Sequence, residues 1–354
     1  MNEVLRIGCE YGSHRAIDPP DCMPQYAWKI DNSVDILYDN ELLINVDTLN
    51  INSTSFYQIR TECQNDIETI KRKILNIVDT RGKLHNPVTG SGGMLIGNIE
   101  KIGEKLKNKI NINVNEKIAT LVSLSLTPLK IYKINDINMD TGQVNIEGKA
   151  ILFESGIFVK IPLDLPQNLT LAILDCAGVP AKTAELVKPK DNVLILGAGG
   201  RTGLLAMYET KKHLGKTGKI IAFGHTDESC KRIEKTGLAD VIVQGDATDP
   251  LTSLKKIKKA TNSLLADKTI NCINVPGTEM TSILATKQKG TIFFANLATS
   301  FNVAALGAEG VGKDVDMLIY RGYVENHAEI AFQLLRENPD LRNILNQLIL
   351  KRDD

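Results

Sequence analysis

The stretch VLILGAGGRTGLL, Val193–Leu205, constrains this chain more than any other. A short apolar run, readable only as a buried strand, enters glycines at 197, 199, 200 and 203, and a helical pattern follows at once. In such a turn the first glycine permits the tight bend and the second lets the backbone approach a phosphate. The third packs helix against strand, and the helix N-terminus faces the pyrophosphate. The spacing is G-x-G-x-x-x-G, one residue longer than the usual dinucleotide fingerprint. Strand, glycines and helix keep their order, so the segment reads as a pyrophosphate cradle. Arg201 and Thr202 are placed to reach phosphate oxygens by charge and by hydroxyl, and Gly203 sits deeper in the helix.

The flanking sequence has the matching rhythm. From about Leu169, helical pieces (NLTLAILDCAG, AKTAELV) precede the strand DNVLILG. Strands KIIAFG, DVIVQG, TINCINV, GTIFFANLA and VDMLIYRGYV then alternate with helices, and two more helices close the chain. Strands alternating with helices of this length mean βαβ units and a parallel sheet. Ligands in such sheets lie at the carboxyl ends of the strands. That places Gly224, His225 and Thr226 after the second strand, Asp246 and Ala247 after the third, Val275 and Pro276 after the fourth, and Ala295 and Asn296 at the fifth. An acid at the second strand end would accept the adenine ribose hydroxyl and repel a 2′-phosphate. Gly224 stands there, with His225, Thr226 and Arg232 able to meet a phosphate, while Asp227 could serve the ribose from a later position. The reading is NAD or NADP, leaning to NADP.

The first 165 residues look β-rich, with candidate strands at 41–52, 93–103, 117–126 and 148–162. Between the first two, Ile67, Ile70, Ile74, Ile77 and Val78 recur at helical spacing up to a stop at Gly82. The domains expected are 1–165, 166–338 and a helical tail at 339–354.

Forty-two basic and 42 acidic residues cancel, which argues against nucleic acid or an anionic membrane as partner. The chain start has no apolar h-region and no run approaches a membrane span. Six scattered cysteines without a CxxC pair suit reduced thiols, so a cytoplasmic protein is expected.

A β-rich domain followed by DCAG and VKPKDNVLILGAGG resembles the medium-chain dehydrogenase/reductase superfamily. The resemblance implies an α/β chain with a GroES-like β-rich catalytic domain and a Rossmann domain, doubly wound on a parallel sheet. GCEYGSHR (8–15), PQYAWKIDN (24–32), NPVTGSGGMLIG (86–97) and GAGGRTGLL are more specifically similar to the L-erythro-3,5-diaminohexanoate dehydrogenases of anaerobic lysine fermentation. Zinc enzymes of the superfamily carry Cys, His-Glu and Cys as ligands. Here Asn52 or Ser53 falls at the first position and Ser91-Gly92 at the second, leaving Cys176. One thiolate cannot hold a catalytic zinc that needs three protein ligands, so no metal is expected and Cys176 reads as packing.

The resemblance implies oxidative deamination of a small diamino acid to 5-amino-3-oxohexanoate and ammonia, with nicotinamide accepting the hydride. The amine must first lose a proton, and a relay must then assist water. Glu10, His14 and Arg15 supply an acid, a proton carrier and a cation: Glu10 for an ammonium, His14 for the proton, Arg15 as a fork on the carboxylate. Tyr11 and Ser13 add hydrogen bonds. Ser91, Asp175, Lys29, Asp31, Trp28 and Glu309, the last in a glycine-rich loop, are further candidates; His327 reads as structural. A quinone or enoyl reductase, or a nonenzymatic dinucleotide sensor, is the competing reading, and the clustered charges argue against the reductase. The superfamily resemblance also implies a homodimer through the last parallel strand, near Met317–Tyr320.

Overall fold

The computed structural model describes residues 6–320 and 322–350. They form two compact units that part between Asp175 and Cys176. The first five residues and the last four, which the expected domain limits include, lie outside the described residues.

In the first unit a 3₁₀ turn at Ser13–Arg15 leads into β1 (Ala16–Asp18), which pairs with β2 (Lys29–Ile30). There follow β3 (Glu41–Ile51), α1 (Ser53–Glu62), α2 (Ile67–Arg81), β4 (Gly93–Ile102), β5 (Lys117–Thr120), β6 (Leu129–Ile137), β7 (Gln143–Phe153), β8 (Phe158–Lys160) and α3 (Gln167–Leu174). Strands β6-β7-β3-β4-β5-β8 make one antiparallel sheet. Its middle strand β3 is buried along nearly its whole length, with Glu41, Thr48 and Asn50 buried among its apolar residues.

Helix α2 forms as the spacing predicts. Asp66 caps it by accepting from the Thr69 N–H, and Gly82 ends it in the left-handed region. Ile70, Ile74, Ile77 and Val78 are buried, each contributing roughly 1.5–3 kcal/mol of transfer free energy. The strand expected over 117–126 stops at Thr120, and the region 148–162 is two strands, β7 having begun at Gln143. Helix α1 and strand β6 were not anticipated.

The second unit contains α4 (Gly178–Leu186), β9 (Asn192–Leu196), α5 (Arg201–Leu214), β10 (Lys219–Gly224), α6 (Asp227–Thr236), β11 (Val241–Gln244), α7 (Pro250–Thr261), β12 (Ala266–Asn271), α8 (Glu279–Ala285), β13 (Thr286–Phe294), α9 (Phe301–Gly310), β14 (Asp316–Ile319), α10 (His327–Glu337) and α11 (Pro339–Leu350). Six parallel strands run in the order β11-β10-β9-β12-β13-β14. Strand order reverses at β9, whose Val193, Leu194, Ile195 and Leu196 are wholly buried. A crevice outside the carboxyl ends at this switch point is the position such a sheet reserves for ligands.

Two boundaries differ from the expected ones. Helix α3 belongs to the first unit, because Lys117 donates to the Gln167 side chain and Gln143 to the Asn168 carbonyl. Residues 339–350 are not a separate tail: Leu341, Leu345 and Ile349 are buried and α11 packs on α5, α6 and α10. The stretch around Glu309 is helix α9 instead of a loop, started by Ser300 accepting from the Val303 N–H. No described helix is long and apolar enough to cross a membrane.

Candidate functional site

A cavity of about 500 Å³ opens at the carboxyl ends of β9, β10, β11 and β12, a volume ordinary for a small-molecule site. Gly197, Gly199 and Gly200 form its floor, Gly224, His225 and Thr226 one wall, and Asp246, Ala247 and Val275 another. The glycines are there for steric reasons. Gly197 has φ +75, and a Cβ on Gly199 would lie 2.6 Å from the Ser229 carbonyl oxygen. A Cβ on Gly203 would lie 2.3 Å from the Gly197 carbonyl oxygen, so the extra residue preserves the close helix–strand packing. Gly200 is the N-cap of α5 and Arg201 and Thr202 open its first turn. Backbone N–H groups of a first turn have no acceptor within the helix, and the dipole there favours an anion.

Gly224 also has a packing reason. A Cβ there would come within 2.7 Å of the Cys230 sulfur and 2.9 Å of the Ser229 hydroxyl. Thr226 is the N-cap of α6, its hydroxyl accepting from the Ser229 N–H, and the His225 Nδ1 lies 3.2 Å from the Gly245 carbonyl. Arg232 donates from Nε to the Gly199 carbonyl and pairs with Glu228. Asp227 does not line the cavity; its carboxylate accepts from the Gln244 amide at 2.7 Å. Asp246 is held below the usual carboxylate range by the Thr248 hydroxyl and N–H.

Six residues expected at the dinucleotide, Arg201, Thr202, Gly203, Pro276, Ala295 and Asn296, are not among the cavity-lining residues, the first three forming the start of α5. Asn296 closes its own turn, its side-chain oxygen accepting from Ala298 and Thr299 and its amide donating to the Asn271 carbonyl. Missed from the sequence were Ser229, Cys272 and Thr278, which also line the cavity. Cys272 follows β12 directly, a position that strand-end counting could have found.

In the first unit the GCEYGSHR segment folds around a residue that sequence reading passed over, Glu41. Its carboxylate is wholly buried and accepts from Arg15 Nε at 2.6 Å, Arg15 Nη2 at 2.7 Å and the Tyr38 N–H at 3.0 Å, with His14 Nε2 at 2.9 Å. Burial pushes this carboxyl up, but the Arg15 and His14 hydrogen bonds outweigh it and hold it below its ordinary range. Arg15 donates further to Asp31 and to the Ser33 and Ile36 carbonyls. All five of its N–H groups are thereby used, and it is 1% exposed. Arg15 therefore cannot fork onto a substrate carboxylate, and the expected role is corrected to a structural one.

Glu10 is exposed, and its carboxylate beside the Tyr11 hydroxyl raises that phenol above its usual range. Ser13 lowers the Cys9 thiol. Lys29 lies in β2 and Asp31 just after it; Trp28 is half exposed with the Arg81 guanidinium 5.8 Å from its ring centre. Asp175 is the C-cap of α3. Cys176 and His327 are buried, and the His327 Nδ1 lies 2.7 Å from the Val324 carbonyl. Ser91 accepts a hydrogen bond from the Asn52 side chain, and Asn52 caps α1 by accepting from the Ser55 N–H. Among the described residues no three His, Cys, Asp or Glu side chains gather as metal ligands would.

Comparison with known proteins follows the same division. A family model for the L-erythro-3,5-diaminohexanoate dehydrogenase N-terminal domain matches residues 14–162. The L-erythro-3,5-diaminohexanoate dehydrogenase of Acetoanaerobium sticklandii is 52% identical over 343 residues, 97% of this chain and 99% of that one. That of Fusobacterium nucleatum is 49% identical over 346 residues, 98% and 100%. Among solved structures, a quinone oxidoreductase of Pseudomonas syringae superposes with TM-score 0.55 at 15% identity, covering 92% of each chain. One from Coxiella burnetii gives 0.53 at 18%, covering 88% and 86%. A mycobacterial protein complexed with NADPH gives 0.52 at 15%, covering 88% and 81%. At these identities the structures share the fold: a GroES-like β-rich unit and a Rossmann unit.

Proposed function

We infer the activity from one premise: the chain belongs to the L-erythro-3,5-diaminohexanoate dehydrogenase family. It is a dehydrogenase acting on an amine, with a nicotinamide dinucleotide as hydride acceptor. The reaction proposed takes L-erythro-3,5-diaminohexanoate to 5-amino-3-oxohexanoate and ammonia, in anaerobic lysine degradation. The observation that carries it is the glycine turn of the second unit, which floors the cavity with Gly197, Gly199 and Gly200 and is packed so closely that a Cβ at Gly199 or Gly203 would collide with Ser229 or the Gly197 carbonyl. Gly197, Gly199, Gly200 and the first turn of α5, with Arg201, Thr202 and Gly203, would hold the pyrophosphate. Asp246, Ala247 and Val275 would flank the rest. The bound dinucleotide supplies hydride acceptance; the chain supplies orientation and proton handling.

An ammonium cannot release hydride from its carbon, so a proton leaves nitrogen first. His14 is the proposed acceptor, and Glu10, exposed on the same loop, the partner of an ammonium. Loss of the C3 hydrogen as hydride then makes the C–N bond an iminium. Water adds at that carbon, its proton returns through His14, and ammonia departs.

The cavity wall beyond β10 holds no carboxylate, since Asp227 is turned to Gln244, and His225 and Thr226 offer polar hydrogens. The proposal is therefore NAD or NADP with a lean to NADP, no metal, and a cytoplasmic homodimer. Strand β14 is the edge of its sheet, the position a dimer through Met317–Tyr320 requires.

Purified protein incubated with either dinucleotide and the diamino acid should form reduced nicotinamide and ammonia in equal amounts. No reduced cofactor with either dinucleotide overturns the reading, and kcat/KM for the two dinucleotides decides the preference.

A further inference from the structure

With the pyrophosphate at the turn after β9, the adenine ribose of a dinucleotide belongs at the end of the next strand, β10. The base then lies one strand further out, at β11, which is the edge of the sheet. Gly245, Asp246, Ala247 and Thr248 follow β11 directly, and all four line the cavity.

Buried groups hold this segment in place. The Gly245 N–H donates to the Gly224 carbonyl at 3.0 Å, and the Ser253 hydroxyl to the Asp246 carbonyl at 2.6 Å. The Thr281 hydroxyl donates to the Ala247 carbonyl at 2.7 Å. Ser253 and Thr281 are each 1% exposed, so the backbone beneath Asp246 is anchored to the core. Its carboxylate is fixed as well: Oδ1 accepts from the Thr248 N–H at 2.9 Å and from the Thr248 hydroxyl at 2.7 Å. Those bonds, with His225 nearby, keep the group ionised. Oδ2 accepts no hydrogen bond from any of the described residues. A carboxylate only accepts, so the cavity wall presents one oriented acceptor and no donor at this point. Adenine carries an exocyclic amine, a donor of the kind that a free carboxylate oxygen recognises on a base edge.

We propose that Asp246 is the specificity-determining residue for the base of the dinucleotide: its Oδ2 accepts from the exocyclic amine of adenine. A purine without that amine leaves Oδ2 unpaired and binds less well. Because the segment is already in place, little ordering is lost when the base arrives. Hydride transfer takes place at the other end of the dinucleotide, so the effect falls on binding and leaves kcat unchanged. This rests on the reading of the cavity as a dinucleotide site.

The test is a titration of the full chain, followed by nicotinamide fluorescence, with two reduced dinucleotides. One is the ordinary adenine form and the other carries purine, the amine replaced by hydrogen and nothing added. In the unaltered protein the purine form should have a Kd about tenfold higher or more. In Asp246→Asn the side-chain oxygen stays on Thr248 and an amide donor takes the place of Oδ2. The two Kd values should then agree within about twofold. Equal Kd values in the unaltered protein overturn the proposal, as does a preference that survives undiminished in Asp246→Asn. In both cases the dinucleotide still binds, so the cofactor reading stands. Failure of both forms to bind is the separate result that overturns the cofactor reading and this proposal with it.

Discussion

Asn52 donates its side-chain amide to the Ser91 hydroxyl across 39 residues of chain. The superfamily resemblance puts the zinc-ligand positions of zinc-dependent enzymes at Asn52 or Ser53 and at Ser91-Gly92, and here a neutral amide and a hydroxyl satisfy one another. Neither group is the thiolate or imidazole that zinc prefers, and the Asn52 oxygen is already engaged in capping α1. Dialysis against a strong chelator should leave turnover within twofold, and elemental analysis should find zinc far below one equivalent. Stoichiometric zinc, or activity lost on chelation and restored by zinc, would contradict this.

Arg15→Lys tests the reassignment of Arg15. Lysine cannot reproduce the two-pronged pair to Glu41 or reach all of the carbonyls, and a buried carboxylate is left partly unpaired. Breaking such a pair costs on the order of 3–5 kcal/mol, read as a lowered denaturation midpoint. A variant of unchanged stability whose only defect is a raised KM for the diamino acid would restore the substrate-fork reading.

Gly199→Ala probes the cradle. The added methyl meets the Ser229 carbonyl, Cβ and Cα at 2.6, 2.7 and 2.9 Å, backbone among them, so α6 must shift away from the turn. Overpacking of this kind costs about 1–3 kcal/mol. Dinucleotide Kd, followed by fluorescence of the reduced form, should rise about tenfold to a hundredfold.

Stability should climb with pH in two separate windows. His85 is pushed down to about 4 by burial and by Arg81 and Lys83, and Lys83, wholly buried, is pushed down to about 8 by burial and by Arg81, with Cys22 opposing. Both bind protons more readily when unfolded. Stability therefore rises between about 4 and 6.5 as the His85 cost is removed, and again between about 8 and 10.5 for Lys83. Lys83→Met should stabilise the protein at neutral pH by roughly 1–3 kcal/mol, allowing for the lost bond to the Pro24 carbonyl. The gain should shrink above pH 10 in denaturant titrations.

Much of the second unit was legible because strand and helix periods alternate cleanly there, and the glycine turn marks the switch point. What escaped was set by tertiary packing. Helix α9 reads as a glycine-rich loop until its Ser300 cap and the burial of Ala304 and Ala308 are seen. Glu41 was invisible because an acid at the head of a strand that also carries Asn45, Asp47, Thr48 and Asn50 gives no local signal; its meaning comes from Arg15 and His14, 26 and 27 residues earlier. Arg15 was named for its chemistry, but only the full set of acceptors shows that its donors are spent.

The bond between Asp227 and Gln244 has a consequence for how dinucleotide preference can drift. On the NADP-leaning reading proposed above, Asp227 is the acid able to serve the adenine ribose, and it is restrained by an amide on the neighbouring strand. Replacing Gln244 releases that carboxylate without altering any residue of the cavity wall. A single change outside the pocket is thus a short evolutionary path toward excluding a 2′-phosphate, open to a lineage whose cradle stays intact.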